Sequence, residues 1–454
     1  MVVKSIFIQY FSKIITFPLS LIIYSLIVKS LSVEEFKDYN LFLAIVLYII
    51  GFIDLGLGNF FYREAITKKK YYFFNILFNF KIVVFFIVII LYFLCFNFLN
   101  YKIAFFIILY VFLFVLKDVL EKLLKSFSRF DYIAYVNVGA VFFQFLLIVG
   151  LYYKKFLFLD VLLGVLCSIL FVYVILYKRI LNKKILLFKV NLKYFFFSIF
   201  FIKKNLKFMI PWIIIFLGNL IFSRLDVFML NYFNFSYDIA EYGGSYNLYE
   251  KLEFFLLTIS MVFYNVFADK KDIKLFSRIL EVVMLISFLF VGMLLISSDL
   301  LVNLIIGDKY KNARDLFVIM VLGTYFKFHS AFFVNWLYLH KKEWGVGVGI
   351  ILMLLLNGIL NYIYIPIYKD IGAAYTTFIS DAFNFLFLIV VMYKNEFKFM
   401  SKFYVYFNLV YILIITYFLI AKSINEKILI IILLFGTVVF FKNIKRYEFL
   451  KGIL

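Results

Sequence analysis

Charge is scarce in this sequence. Only 16% of its 454 residues are Asp, Glu, Lys or Arg and 66% are apolar, whereas soluble domains average about 25% charged and roughly 45–50% apolar. With a mean hydropathy of +1.04, a soluble globular domain is excluded and an integral membrane protein is expected. Acids are scarcer than bases, 26 against 47, for a formal net charge of +21. A nucleic-acid partner would need a soluble basic face. The bases instead sit in short clusters between apolar runs, so they read as topology signals and nucleic acid is set aside. Cysteine is nearly absent. Cys95 and Cys167 lie far apart in apolar runs without a CxxC, which supports neither a disulfide framework nor a metal site. No GxxxxGK[ST] occurs and no loop exceeds about 30 residues, leaving no place for a nucleotide-binding domain. An acid/base or nucleophile cluster in a loop is also lacking, so neither an enzyme nor a cofactor is expected. The many Phe, Ile, Lys, Asn and Tyr residues fit AT-rich codon usage, and aromatic content alone carries no weight.

What is present is a succession of apolar runs long enough to cross a bilayer, at about 20 residues each. Fourteen spans are expected, at 5–28, 39–60, 75–95, 101–116, 132–153, 156–177, 208–231, 242–267, 276–297, 315–339, 346–365, 371–392, 403–421 and 427–441. The N-terminal run is too long for a signal-peptide core and no small-residue cleavage site follows it, so it is kept as a span. With the N-terminus in the cytoplasm, inside segments carry 31 Lys and Arg and outside loops 11. That asymmetry orients the chain and places both termini inside.

The longest inside segment, "KRILNKKILLFKVNLKYFFFSIFFIKKNLK", contains no acid. Its run "YFFFSIFFI" is too short to span and is expected to lie in the membrane interface. It reads either as a basic tether between two halves or as a binder of anionic lipid headgroups.

Four stretches share a pattern. "NYIYIPIYKDIGAAYTTFIS" places an Asn-bearing helix end, Pro366 and Gly372-Ala373-Ala374 in order. "LSVEEFKDYNLFLAIVLYIIGFIDLGLGNFFYREA" carries Phe36, Tyr39 and Asp54-Leu-Gly56. "SRLDVFMLNYFNFSYDIAEYGGSYNLYEKL" carries Asp226 and a Tyr-Gly entry into the next helix, and "LVNLIIGDKYKNARDLFVIM" a Gly followed by a Tyr. In register over residues 31 to 380, they resemble the polysaccharide-transporter, or O-antigen flippase, branch of the multidrug/oligosaccharidyl-lipid/polysaccharide exporter superfamily. The chain departs from that pattern with Tyr-Lys-Asp at 368–370, where the family has Tyr-Gly. "SVEEFKDYN" and "SYDIAEYGG" each put acids before a Tyr, and Pro18 and Pro211 each fall in the helix opening a half, as an internal duplication would have it.

The resemblance implies an all-α polytopic membrane protein of the bacterial cytoplasmic membrane. Two six-helix lobes, 1–177 and 208–392, would form a V around a central cavity. The basic linker 178–207 would join them, and 393–454 would add two helices and a tail. It implies a flippase carrying an isoprenoid-pyrophosphate-linked oligosaccharide (an O-antigen, capsule or similar unit) to the outer leaflet by alternating access. Membrane lipids, a polysaccharide polymerase and chain-length machinery are the implied partners, with H⁺ or Na⁺ for coupling.

Ionisable groups within spans must face protein or a wet cavity, because each costs ~2.5–3.5 kcal/mol at the bilayer centre. They either pair for packing or serve the cavity. A diphosphate needs charge-assisted donors, for which Arg224, Lys251, Lys81, Lys13 and Lys327 are the candidates. Sugars need polar partners and flat faces, for which Asn357, Asn361, Tyr246 and Tyr249 are candidates. Asp226, Glu250, Glu253, Asp381 and His329 are the candidates for ion coupling. Helical spacing aligns Asp226 with Asn219 and Arg224 with Asn231 on the seventh helix, and puts Glu250 and Glu253 on one face of the eighth. Lys81 and Lys13 are the first-half bases. Asp54 and Glu281 read as interface or cap residues. Three alternatives stand beside the flippase: a peptidoglycan-precursor flippase, a cation-coupled drug exporter of the same fold, and a non-transporting assembly scaffold.

Overall fold

The computed structural model describes residues 2–58, 61, 72–95, 101–127, 129–181, 191–270, 272–395, 408 and 411. Among them thirteen helices and no strand occur. They are α1 (Val2–Ser30), α2 (Val33–Asp54), α3 (Tyr72–Cys95), α4 (Tyr101–Ser126), α5 (Phe130–Tyr153), α6 (Leu159–Ile180), α7 (Leu192–Phe222), α8 (Leu225–Tyr232), α9 (Ser236–Lys270), α10 (Ile273–Ile296), α11 (Ser298–Ile305), α12 (Ala313–Leu339) and α13 (Glu343–Lys394). Nine of the described helices are long and apolar enough to cross a membrane, or ten if the bent α7 counts as one span. The all-helical membrane class expected from composition is what the chain adopts. The expected spans 403–421 and 427–441 lie outside the described residues apart from 408 and 411.

Short polar signals set the helix ends. Ser32 and Glu35 close a capping box at the start of α2, satisfying two of its orphan N–H groups. Glu35 reaches further, since its Oε1 also accepts from the Leu159 N–H that opens α6 (3.3 Å). At the other end of α2, Leu55 and Gly56 both take positive φ (47° and 68°), so the Asp-Leu-Gly triplet is a left-handed helix stop. Gly307, in the Gly-to-Tyr motif before α12, likewise has φ 80° and turns the chain so that Tyr310 is buried.

The chain divides into two compact units, Met1–Ala240 and Glu241–Leu454. In the first, α1 lies along α5, α4 along α6, and α2 against α4, α3, α7 and α8. Gly51 lets α2 approach α7 so closely that a Cβ there would run into Leu220. Tyr48 donates to the Ile221 carbonyl (2.6 Å) and stacks on Phe228 (4.8 Å). In the second unit α12 is central. It packs against α10, α11 and α13 and buries Phe317, Tyr325, Phe328, Phe332 and Trp336. Trp336 meets Phe276 of α10 at 4.5 Å.

α13 is one helix by hydrogen bonding and two by shape. Lys369 sits at φ 53°, ψ −128°, and the chain folds back on itself there. A Cβ on Gly345 would touch Val391, one on Gly349 would touch Phe387, and one on Gly372 would lie 2.7 Å from the Tyr364 carbonyl oxygen. These contacts close on a centre near 368, as an antiparallel helical hairpin requires. The two spans expected at 346–365 and 371–392 are its arms. Gly372 is the small residue that admits the approach, and a lysine occupies the strained turn where the resembling family has glycine.

Candidate functional site

In the first unit the sequence-nominated Lys81 is buried, and its ammonium does not stand free. It pairs with Asp54 of α2 and with Asp118 of α4 (2.5 Å). Lys122 pairs with the same two carboxylates, at 2.7 Å from Asp118 and 3.5 Å from Asp54. Two bases and two acids thus form a closed four-charge cluster tying α2, α3 and α4 together. Gly58 abuts it, because a Cβ there would collide with the Lys122 ammonium and lie 2.6 Å from Asp54. In this arrangement Lys81, nominated as a diphosphate contact, is paired with two carboxylates. Asp54, expected to be an interface or cap residue, belongs to the cluster. Lys13 is elsewhere, exposed on α1 and near Lys125.

Arg224 and Asp226 are both buried, but the helix expected to carry them is not continuous. The Ser223 hydroxyl donates to the Leu220 carbonyl (2.8 Å) where α7 ends. Arg224 takes φ −136°, ψ 6° as the N-cap of α8. The stripes that aligned Asp226 with Asn219 and Arg224 with Asn231 do not run through this break. Asn219 bonds its own helix at the Ile215 carbonyl (2.9 Å). Arg224 instead lies within electrostatic reach of Tyr39 on α2.

The second unit gathers five of the nominated residues. Lys327 of α12 pairs with Glu253 of α9 at 3.0 Å and lies 5.6 Å from the Tyr249 ring centroid. Asp381 and Tyr246 are within electrostatic range of the same ammonium. The Asp381 carboxylate faces Gly323 of α12, a position where a Cβ would be 3.5 Å away. Glu253 and Asp381 lie on separate helices, α9 and α13. Tyr246 and Tyr249 are buried and pack edge to face at 6.0 Å. Glu250 is exposed while Glu253 is buried, so the two do not share an environment, and Lys251 is half-buried beside Glu250.

Asn357 and Asn361 sit inside the α13 hairpin, fully buried. The Asn361 amide donates to Asn357 Oδ1 (3.1 Å) and its carbonyl accepts from the Thr376 hydroxyl of the opposite arm. These bonds staple the two arms of the hairpin together. His329 is also fully buried, with Nδ1 bonded to the Tyr325 carbonyl (2.7 Å) and its ring against Tyr325 and Phe385.

Three polar residues were missed by reading the sequence. Asp118 and Lys122 seemed part of a cytoplasmic basic loop, yet α4 continues to Ser126 and carries them into the cluster. Their i, i+4 spacing was the available signal. Glu241, fully buried, accepts from the Asn312 N–H and so holds the start of α12, helped by Ser245 donating to the Ala313 carbonyl (2.9 Å). The acid-Tyr-Gly motif thereby acquires a physical purpose.

No protein-family model and no curated protein matches the sequence. Solved structures do. The chain is similar to a lipid II flippase, MurJ, in an inward closed conformation, with a TM-score of 0.65 and 14% identity over 99% of this chain and 100% of that one. It is also similar to an inward-facing multidrug-resistance transporter of the MATE family, in the MOP superfamily, with a TM-score of 0.63 and 12% identity over 85% of this chain and 96% of that one. At these identities the likeness establishes the fold, which is the one expected from the four sequence stretches.

Proposed function

We propose that the protein is a flippase that moves an isoprenoid-pyrophosphate-linked oligosaccharide from the cytoplasmic to the outer leaflet by alternating access. The observation that carries the reading is the fold likeness to a lipid II flippase over essentially the whole of both chains, joined to a sequence pattern resembling the polysaccharide branch. Arg224 is the anchoring cation in this proposal. It is a buried base at a break between helices, and interrupted spans are where transporters place charged ligands. Its guanidinium fork suits a diphosphate. Lys251 and Lys13 are secondary contacts. Asp226, Glu253 and Asp381 are the acids proposed to take a coupling H⁺ or Na⁺, with Lys327 as the internal cation that competes for Glu253.

A second reading is favoured by the same full-length likeness, namely a peptidoglycan-precursor flippase. One experiment separates the readings. In a deletion strain, lipid-linked saccharides are extracted while surface polysaccharide and sensitivity to cationic drugs are assayed. The proposal expects lipid-linked repeat units to accumulate, surface glycan to fall, and Arg224→Ala to fail to complement although present in the membrane. Accumulation of peptidoglycan precursor transfers the protein to the second reading. Raised drug sensitivity with normal glycan refutes both.

A further inference from the structure

The segment before the seventh span forms a helix that does not continue into it. Residues Lys193–Lys207 and Met209–Phe222 meet at 97°. The second piece runs antiparallel to α2, with Phe216 beside Gly56 and Leu220 beside Gly51, and α2 is long and apolar enough to cross a membrane.

One side of 193–207 is packed. The Asn191 N–H donates to Asn79 of α3 (2.6 Å), Phe195 stacks on Phe80 (6.4 Å), and Phe201 meets Phe73 (5.5 Å) and Phe61. Ser198 is buried on that side. The opposite side is exposed and has its own order. At 100° per residue, Lys193, Lys203, Lys204 and Lys207 fall within one arc of about 100°, together with Phe196 and Phe200. Along the axis they separate, with exposed Phe196, Phe197 and Phe200 first and exposed Lys203, Lys204 and Lys207 last. Among the described residues no carboxylate pairs with those three lysines, and none lies in the segment.

The neighbouring helix gives the depth. By the distribution of Lys and Arg, α3 enters from the cytoplasmic side at Tyr72. Phe195 sits beside position 80 and Phe201 beside position 73, a difference of about 10 Å along α3 at its helical rise. The aromatic half therefore lies at acyl-chain depth, and the lysine half rises to the level of the phosphates.

We propose that the outward face of residues 193–207 is a binding surface for anionic phospholipids of the cytoplasmic leaflet. Phe196 and Phe200 enter the acyl region while Lys203, Lys204 and Lys207 hold the phosphate charge. Lysines at an anionic membrane surface each contribute about fivefold in affinity. This surface is separate from the proposed transport residues, so its test is independent of the substrate.

The test uses the full-length protein in detergent, with phosphatidylglycerol or phosphatidylcholine titrated in and bound lipid read by native mass spectrometry. The unaltered protein is expected to retain phosphatidylglycerol preferentially. K203Q/K204Q/K207Q should weaken that retention on the order of a hundredfold and leave phosphatidylcholine unchanged, while the triple Arg variant keeps it. If the Gln variant cannot be purified, K204Q and K207Q singly carry the test at about fivefold each. Equal retention by the Gln variants and the unaltered protein, or no discrimination between the two lipids, overturns the proposal.

Discussion

Replacing Lys81 by Met distinguishes a structural cation from a substrate contact. Lys81 is 3% exposed, and its ammonium holds Asp54 and Asp118 together. Removing it leaves two half-buried carboxylates sharing Lys122 alone, which sits 3.5 Å from one of them. Breaking a buried ion pair on one side costs about 3–5 kcal/mol. Lys122 remains and the carboxylates are partly wetted, so the low end, about 3 kcal/mol, is expected. At roughly 2–4 °C per kcal/mol for a unit of this size, the apparent melting temperature should fall by about 6–12 °C. Fluorescence-detected size exclusion after heating measures this in detergent. The double variant K81M/D118L restores charge balance and should recover at least half of the loss. Two results would refute the reasoning: a K81M protein that melts within 1 °C of the parent yet no longer transports, or a double variant no more stable than the single one.

Other outcomes follow from the same contacts. Lys369→Gly relieves a backbone conformation that costs ~1–3 kcal/mol for a residue with a side chain. Less the greater unfolded-state entropy of glycine, it should raise the melting temperature by the equivalent of about 1 kcal/mol. Gly372→Ala should do the reverse, because its Cβ would meet backbone 2.7 Å away, and a drop in membrane abundance on immunoblots is the readout. Lys327→Met strands the buried Glu253 carboxylate and should lower thermal stability. Adding Glu253→Gln should restore it, and a double-mutant cycle showing no coupling would remove the pair as a structural unit.

The class of the molecule and most of its spans were legible in the sequence because both depend on local quantities. A run of about 20 apolar residues has to be a helix in lipid, since every backbone polar group must be satisfied internally. Pro366 and the Gly372-Ala373-Ala374 stretch announced a turn and a close approach, and the hairpin of α13 realises both. The candidate site was legible only in its residue types. Sequence could nominate Lys81, Asn361 and Tyr249 as polar groups that must be satisfied, but not say by whom.

That choice is made between helices, over distances that no spacing along one chain segment encodes. Asp54 and Asp118 are 64 positions apart, yet they share two lysines. Glu253 finds Lys327 across 74 residues, and Asn361 finds Thr376 only because the chain doubles back at Lys369. The break at Ser223–Arg224 also escaped periodicity, since the apolar pattern continues through it. Hydrophobic length determined that this chain enters the membrane and how many times its described part can cross. Tertiary packing decided which of its buried charges neutralise one another, because a charge in low dielectric takes the nearest opposite charge that the fold brings to it.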